Sequence, residues 1–349
     1  MSAALSLPRQ AEASAGTEGA SFLDIPVGAG PAALGSAYSA LATDAYAPTW
    51  NPAGLGFLQS TQVAGQHLSY LESTSDEYVS IVYPVHSGLG IGSAVQYFGS
   101  GDIPRTDGSG NSLGNYSDAF AAYSLALGKT VTPKLSLGAT GKWIHEKIAD
   151  FSADAYAGDL GAQYQASDKL SLAAVLSNLG TTLKFQSDGD SLPTAFKLGG
   201  AYQLNRRWLL AMEGFYPKTG LAGLHSGVEW SPLDFLQIRA GYRTETTKQL
   251  SAMAGLSAGL GINLWGQELA YAWLPYGDLG DTQYFSLVLR FGEAERARRN
   301  LINFHHVVNR PGAPGAHEES PEDKQLIEMF EEQEQKAAQT PAGQTESHP

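Results

Sequence analysis

The chain contains no cysteine among its 349 residues, which removes disulfide scaffolds, thiol catalysis and cysteine-ligated metal centres. Charge is also sparse: only 16 % of residues are Asp, Glu, Lys or Arg, against roughly 25 % in ordinary soluble domains. The 22 basic and 35 acidic residues leave a net charge of −13, the wrong sign for a nucleic-acid binder. No apolar run reaches the ~20 residues that a membrane helix requires, and no strict glycine period marks a collagen. Sequence motifs of common enzymes are missing too: there is no G-x-S-x-G, H-E-x-x-H, phosphate loop or dinucleotide fingerprint. The reading is therefore not an enzyme, with no cofactor, no metal and no nucleic-acid partner.

What is present is glycine (40 residues) and aromatic side chains (10 %). Period-2 alternation recurs through residues 61–292. Along Leu135–Trp143, Leu137 and Trp143 oppose Ser136, Thr140 and Lys142; along Leu236–Arg243, Leu236 and Ile238 oppose Gln237, Arg239 and Arg243. A soluble sandwich also alternates, so the connections must decide. Fourteen candidate strands fall at 61–71, 77–85, 87–98, 116–128, 135–147, 154–165 and 170–182, then 193–204, 208–216, 223–231, 235–244, 250–264, 268–275 and 282–292.

Short links, such as Lys129–Lys134 and Asn205–Arg207, alternate with longer polar ones, such as Gly99–Asn115, Ile148–Ala153 and Leu183–Leu192. Short turns at one end, long loops at the other and an even strand number are the habit of bacterial outer-membrane barrels. The fold expected is an all-β, 14-stranded antiparallel transmembrane β-barrel. Tyr70, Tyr83, Trp143, Trp208, Trp230, Trp265 and Trp273 fall mostly near strand ends, where aromatic girdles belong.

Composition divides the chain into four parts: residues 1–21, a signal-peptide remnant or flexible N-terminus with Ala11-Glu12-Ala13 as a cleavage-like triplet; 22–60, a hatch inside the lumen; 61–292, the barrel; and 293–349, a charged, partly helical or disordered tail. The tail holds 11 acidic and 6 basic residues, a balance of 6 − 11 = −5. Both chain ends are expected in the periplasm. Within the hatch, the Ala-rich run 30–44 reads as a helix with Leu34, Tyr38 and Leu41 on one stripe. Alternation points Lys142, Glu146, Lys197, Glu213, Arg239, Arg243, Glu245 and Arg290 into the lumen, where opposite signs can pair. Asp107, Ser109 and Asn111 have the first spacings of a calcium loop, but the later ligands are missing, so a surface turn is expected. Asp188-Gly-Asp190 reads the same way, and His305-His306 as a solvated helix face.

Two stretches resemble a known family. Residues 27–58, with Trp50 before the turn Asn51-Pro52-Ala53-Gly54, resemble the N-terminal hatch of the FadL-like superfamily. Residues 268–292, with Tyr271, Pro275, Gly277, Asp278, Leu279 and Gly280, then Arg290-Phe291, are similar to the last hairpin of its PorV/PorQ branch. The resemblance implies a hatch-plugged barrel in the bacterial outer membrane. It further implies a docking or shuttle component of protein secretion or surface assembly of type IX kind, with a translocon and exported proteins as partners. The alternative is a FadL-like transporter of fatty acids or other hydrophobic small molecules. In either case outer-membrane lipid surrounds the barrel, and the Trp50–Gly54 turn is the expected gate.

Overall fold

The computed structural model describes residues 18–185, 189–246 and 252–292. The readings for residues 1–17, Asp188, His305-His306 and the 293–349 tail lie outside these. In chain order the first strands are β1 (Thr61–Ser69), β2 (Ser75–Pro84), β3 (Leu89–Gly99), β4 (Ile103–Thr106), β5 (Ser112–Tyr116) and β6 (Asp118–Thr132). Next come β7 (Leu135–Ile148), β8 (Phe151–Ser167), β9 (Leu170–Gly180), β10 (Thr182–Lys184), β11 (Gly189–Ser191) and β12 (Ala195–Asn205). The last are β13 (Trp208–Pro217), β14 (Gly223–Leu233), β15 (Leu236–Arg243), β16 (Leu256–Leu264), β17 (Gln267–Pro275) and β18 (Asp281–Phe291). β4–β5 and β10–β11 are small hairpins carried by long loops; the other fourteen strands form one closed antiparallel barrel in which β1 pairs with β18.

Closure leaves the barrel no edge strand, so each of its strands is paired with a neighbour on both sides. The side-chain distribution is that of a lipid-facing barrel. Along β16 every second residue is exposed, and the exposed set is Leu256, Ala258, Leu260, Ile262 and Leu264. Leu125, Leu269, Phe285 and Leu287 likewise face outward. The buried face carries Gln66, Ser80, Gln96, Thr140 and Gln163. A soluble sandwich would invert this pattern, with apolar residues inside and polar residues out.

Aromatic pairs bound the apolar band. Trp208 and Trp230 stack at the short-turn end with centroids 5.7 Å apart. Tyr123 and Trp143 stack toward the loop end at 5.1 Å, where the Trp143 indole donates to Asp154.

Two expectations are corrected. The Ile148–Ala153 connection is not a longer loop: β7 and β8 run on until only Ala149 and Asp150 remain between them. The strand expected at 250–264 begins at Leu256, preceded by the 3-10 turn Ala252–Gly255.

The hatch also differs from expectation. No continuous helix runs through residues 30–44. The helix spans only Ala29–Ala33, and the chain then turns through Gly35 (φ 62°) and Ser36 (φ 65°), both left-handed. Tertiary contact overrides helix propensity here. At Gly35 the hatch backbone touches the wall so closely that a Cβ on Gly241 would lie 2.0 Å from the Gly35 nitrogen. Leu34, Tyr38 and Leu41 nevertheless share one buried cluster with Trp50 and wall alanines.

The other regular elements of the hatch are a 3-10 turn at Ser21–Asp24, a short helix at Ala47–Trp50 and a 3-10 turn at Pro52–Phe57. The described chain starts in the loop-side half of the barrel, where the Gly19 N–H donates to the Ser191 carbonyl. It then descends to Leu55, which packs by Gly90 and Gly128 near the short-turn end, before entering β1.

Gly241→Val should push the hatch off the wall without opening the ladder. The expected result is a barrel that still migrates faster unheated than boiled on a denaturing gel, with a hatch newly cut by added protease. A variant whose hatch stays protected would refute the close-contact argument.

Candidate functional site

An irregular segment inside a membrane barrel cannot satisfy its own backbone, so wall side chains must do it. The Gly28 N–H donates to Gln66, Ala29 to Ser286 Oγ (3.2 Å), Gly35 to Ser257 Oγ (3.1 Å) and Ser39 to Glu213 (3.0 Å). In the other direction Ser257, Ser80, Thr140 and Ser136 donate to the carbonyls of Ala33, Ala45, Pro48 and Ala53 at 2.6–3.0 Å. These wall residues lie on the inward parity of their strands, which is why serine, threonine and glutamine stand where a soluble core would place leucine.

The Asn51 turn sits at the centre of this weave. Asn51 is fully buried; its amide donates to the Ser39 carbonyl (2.9 Å) and the Ala162 carbonyl (3.4 Å), and its Oδ1 accepts from the Ala53 N–H (3.1 Å). Pro52 opens the 3-10 turn, having no N–H to leave unpaired. Gly54 tolerates no side chain: a Cβ there would lie 1.6 Å from the Ala42 carbonyl oxygen. The Trp50 indole donates to the Val27 carbonyl (2.8 Å), and its ring meets Tyr38 edge-on.

The charged residues expected in the lumen fall into two groups. In the first, the buried Arg239 donates from Nε to Glu229 (2.7 Å) and from a terminal nitrogen to Glu268 (2.8 Å); Arg290 also donates to Glu268 (3.1 Å). The second group surrounds a cavity. Lys142 pairs with Asp159 (2.8 Å) and donates to Asn178 (2.7 Å). Glu213 also accepts from the Ser39 hydroxyl, and His225 joins Glu245 (2.9 Å). Arg243 donates to the Tyr276 hydroxyl (3.1 Å), and Lys197 lies over the Trp50 ring at 5.3 Å. Glu146 stands at the loop-side start of the hatch, accepting from the Ala20 backbone.

Asp159, Glu229, Glu268 and His225 were not singled out by the sequence reading. Each sits on the inward parity of its strand, a signal that alternation already offered. Asp24 was missed for a better reason, since it lies in a segment without periodicity.

The cavity encloses about 230 Å³ between hatch residues 23–27 and the loop-side half of the wall. Its lining mixes Leu23, Ile25, Val27, Trp50 and Phe215 with Asp24, Lys142, Lys197, Arg243 and Glu245. A second cavity beside Arg239, Tyr38 and Asp44 measures about 10 Å³, the space of a single water.

The last hairpin is split between roles. Tyr271 faces outward against Phe285 (5.1 Å), and Pro275 ends β17. Gly277, Asp278 and Leu279 form a 3-10 turn that Gly280 closes at φ 100°. Tyr276, not counted among the motif residues, turns inward to Arg243.

The Asp107 loop closes on itself. Its carboxylate accepts from the Asn111 side chain and from the N–H groups of Asn111 and Ser109, and the Asn111 side chain first among these holds the carboxyl below its ordinary range.

No family model matches the chain, and no curated protein matches its sequence. Solved structures do resemble its fold. CymD, a monoaromatic hydrocarbon channel, is 14 % identical, with a TM-score of 0.52 over 76 % of this chain and 98 % of that one. The Pseudomonas putida toluene transporter TodX gives 15 % identity and 0.47 over 70 % and 92 %. A Pseudomonas aeruginosa FadL homologue gives 14 % and 0.46 over 75 % and 96 %. The likeness to CymD is one of architecture.

Arg239→Met should leave Glu229 buried without its cation, a loss on the order of 3–5 kcal/mol. Urea unfolding of the refolded barrel should show it as a clear drop in midpoint. Arg290→Met should cost markedly less, because its guanidinium is partly exposed and Glu268 keeps Arg239. Equal effects would contradict the assignment of Arg239 as the centre of the network.

Proposed function

We propose that the chain is a FadL-like outer-membrane barrel that takes up small apolar or amphipathic molecules through a lumen gated by its hatch. The observation that carries this reading is the loop-side cavity of about 230 Å³, walled by hatch and barrel and lined by Trp50, Phe215, Ile25 and Val27. It is a concave, partly apolar space with a few placed polar groups, the ordinary form of a small-molecule site. The architecture shared with the hydrocarbon channel CymD supports the same reading. Passage requires hatch movement, because residues 28–57 fill the lumen beneath the cavity and are hydrogen-bonded to the wall. On this reading the Trp50–Gly54 turn is the gate, and the apolar outer face supports a setting in outer-membrane lipid.

A second reading makes the barrel a docking platform of PorV/PorQ type in secretion or surface assembly, with a translocon and exported proteins as partners. The density of hatch-to-wall bonds favours it, since a plug held this firmly suits a platform better than a conduit.

Uptake separates the two. Labelled toluene and a labelled long-chain fatty acid are supplied to Gram-negative cells lacking their own channel for them. The transport reading expects uptake above the empty-vector control. It also expects Asn51→Ala to change the rate several-fold, since each lost turn bond is worth about 0.5–1.5 kcal/mol. Background-level uptake by folded wild-type barrels would sink transport and leave the docking reading.

A further inference from the structure

Lys142, Lys197 and Arg243 come from β7, β12 and β15, three separate strands, yet all line the loop-side cavity. Lys142 has a carboxylate partner in the wall, Asp159. Lys197 and Arg243 have none within ion-pair distance among the described residues; Arg243 holds a phenol, and Lys197 lies over two aromatic rings, Trp50 at 5.3 Å and Phe215 at 5.9 Å. The anion facing all three comes from the hatch. Asp24, at the end of the Ser21–Asp24 turn, is open to the cavity but enclosed by the barrel, and it interacts electrostatically with Lys197, Lys142 and Arg243. A cavity with more cations than wall carboxylates, flat aromatic sides and a carboxylate supplied by a separable segment is arranged to exchange one carboxylate for another.

We propose that the loop-side cavity binds a small aromatic carboxylate, whose anionic head takes over from Asp24 as the anion facing Lys197 and Arg243 while its ring lies against Trp50 and Phe215. This deepens the uptake reading and rests on it. The size agrees: an apolar cavity of about 150 Å³ already takes benzene, and 230 Å³ leaves room for a carboxyl group.

Burial pushes the Asp24 carboxyl up to about 6, against the pull of Lys197, Lys142 and Arg243. Below that pH Asp24 is neutral and no longer competes as an anion opposite Lys197 and Arg243. A benzoic acid has an ordinary carboxyl near 4, so it remains ionised at pH 5. Binding should therefore tighten as pH falls from 7.5 to 5. Glu245 after β15 and His225 on β14 also line this space, and Glu18 on the same segment interacts electrostatically with Asp24. Asp24 therefore has to be isolated by substitution.

The test is calorimetric titration of the full chain in nanodiscs with benzoate and with toluene, its neutral counterpart. Benzoate should bind at least tenfold more tightly than toluene. Lys197→Met should lower benzoate affinity about tenfold and leave toluene unchanged, while Lys197→Arg keeps benzoate binding. Asp24→Asn should tighten benzoate several-fold at pH 7.5 and remove most of the pH dependence. Retained heat-dependent gel mobility shows that each variant is folded. Equal affinity for the two probes, no benzoate binding, or unchanged benzoate affinity in Lys197→Met would overturn the proposal. So would full pH dependence in Asp24→Asn. Toluene uptake without benzoate binding removes this inference alone; benzoate binding without uptake removes the transport reading alone.

Discussion

The structure depends on one constraint: a segment buried in the lumen of a closed barrel must have its backbone groups hydrogen-bonded, and here that segment is almost free of regular structure. Strands satisfy one another around the wall, but the hatch between Gly28 and Phe57 has only two short helices and one 3-10 turn. Its remaining amides and carbonyls would each cost on the order of 1–3 kcal/mol if buried unpaired. The wall answers with Gln66, Ser80, Ser136, Thr140, Glu213, Ser257 and Ser286, each on the inward parity and each bonded to hatch backbone. Wall glycines serve the same end by letting backbone approach backbone, as Gly241 does at Gly35.

That weave divides the lumen. Toward the short turns the hatch is held by hydrogen bonds, and it lies beside the wall network Glu229–Arg239–Glu268–Arg290 at Gly30, Tyr38 and Asp44. Toward the loops the packing opens into the cavity, and residues 19–27 cover it with fewer ties to the wall: Gly19 to Ser191, Ala20 to Glu146 and Phe22 to Gln96. A molecule entering from the loop side meets the less firmly held part of the hatch first. The two functional readings differ in whether the lower part ever yields.

Most of the barrel was legible because its rule is short. Alternation has a period of two, and outward residues are apolar while inward ones are polar, so Leu236–Arg243 declares both faces in eight residues. Counting the alternating segments gave fourteen strands, and the pattern of short and long connections pointed to a closed membrane barrel. The hatch was less legible because nothing periodic governs it. Its Ala-rich run suggested a helix, and the break at Gly35–Ser36 follows from contact with β15, which lies more than 200 residues away in sequence. Among the lumen charges the cations were named, with Glu146, Glu213 and Glu245, while Glu229, Glu268 and Asp159 were passed over. Pairing between strands depends on register, and register emerges only when the ring closes. The tight turn at Ala149-Asp150 was hidden for a similar reason, since β7 and β8 extend each other beyond the point where their apolar pattern fades.

The central claim is that wall side chains hold the irregular hatch as firmly as the ladder holds the barrel. Hydrogen exchange on the folded protein in lipid measures this residue by residue. The amides of Gly28, Ala29, Gly35 and Ser39, which donate to Gln66, Ser286, Ser257 and Glu213, should exchange as slowly as mid-strand amides of β1 and β18 and far more slowly than those of the Asp107 loop. Exchange of these four amides at the rate of the exposed loops would contradict the account and make the hatch a loose occupant of an open lumen.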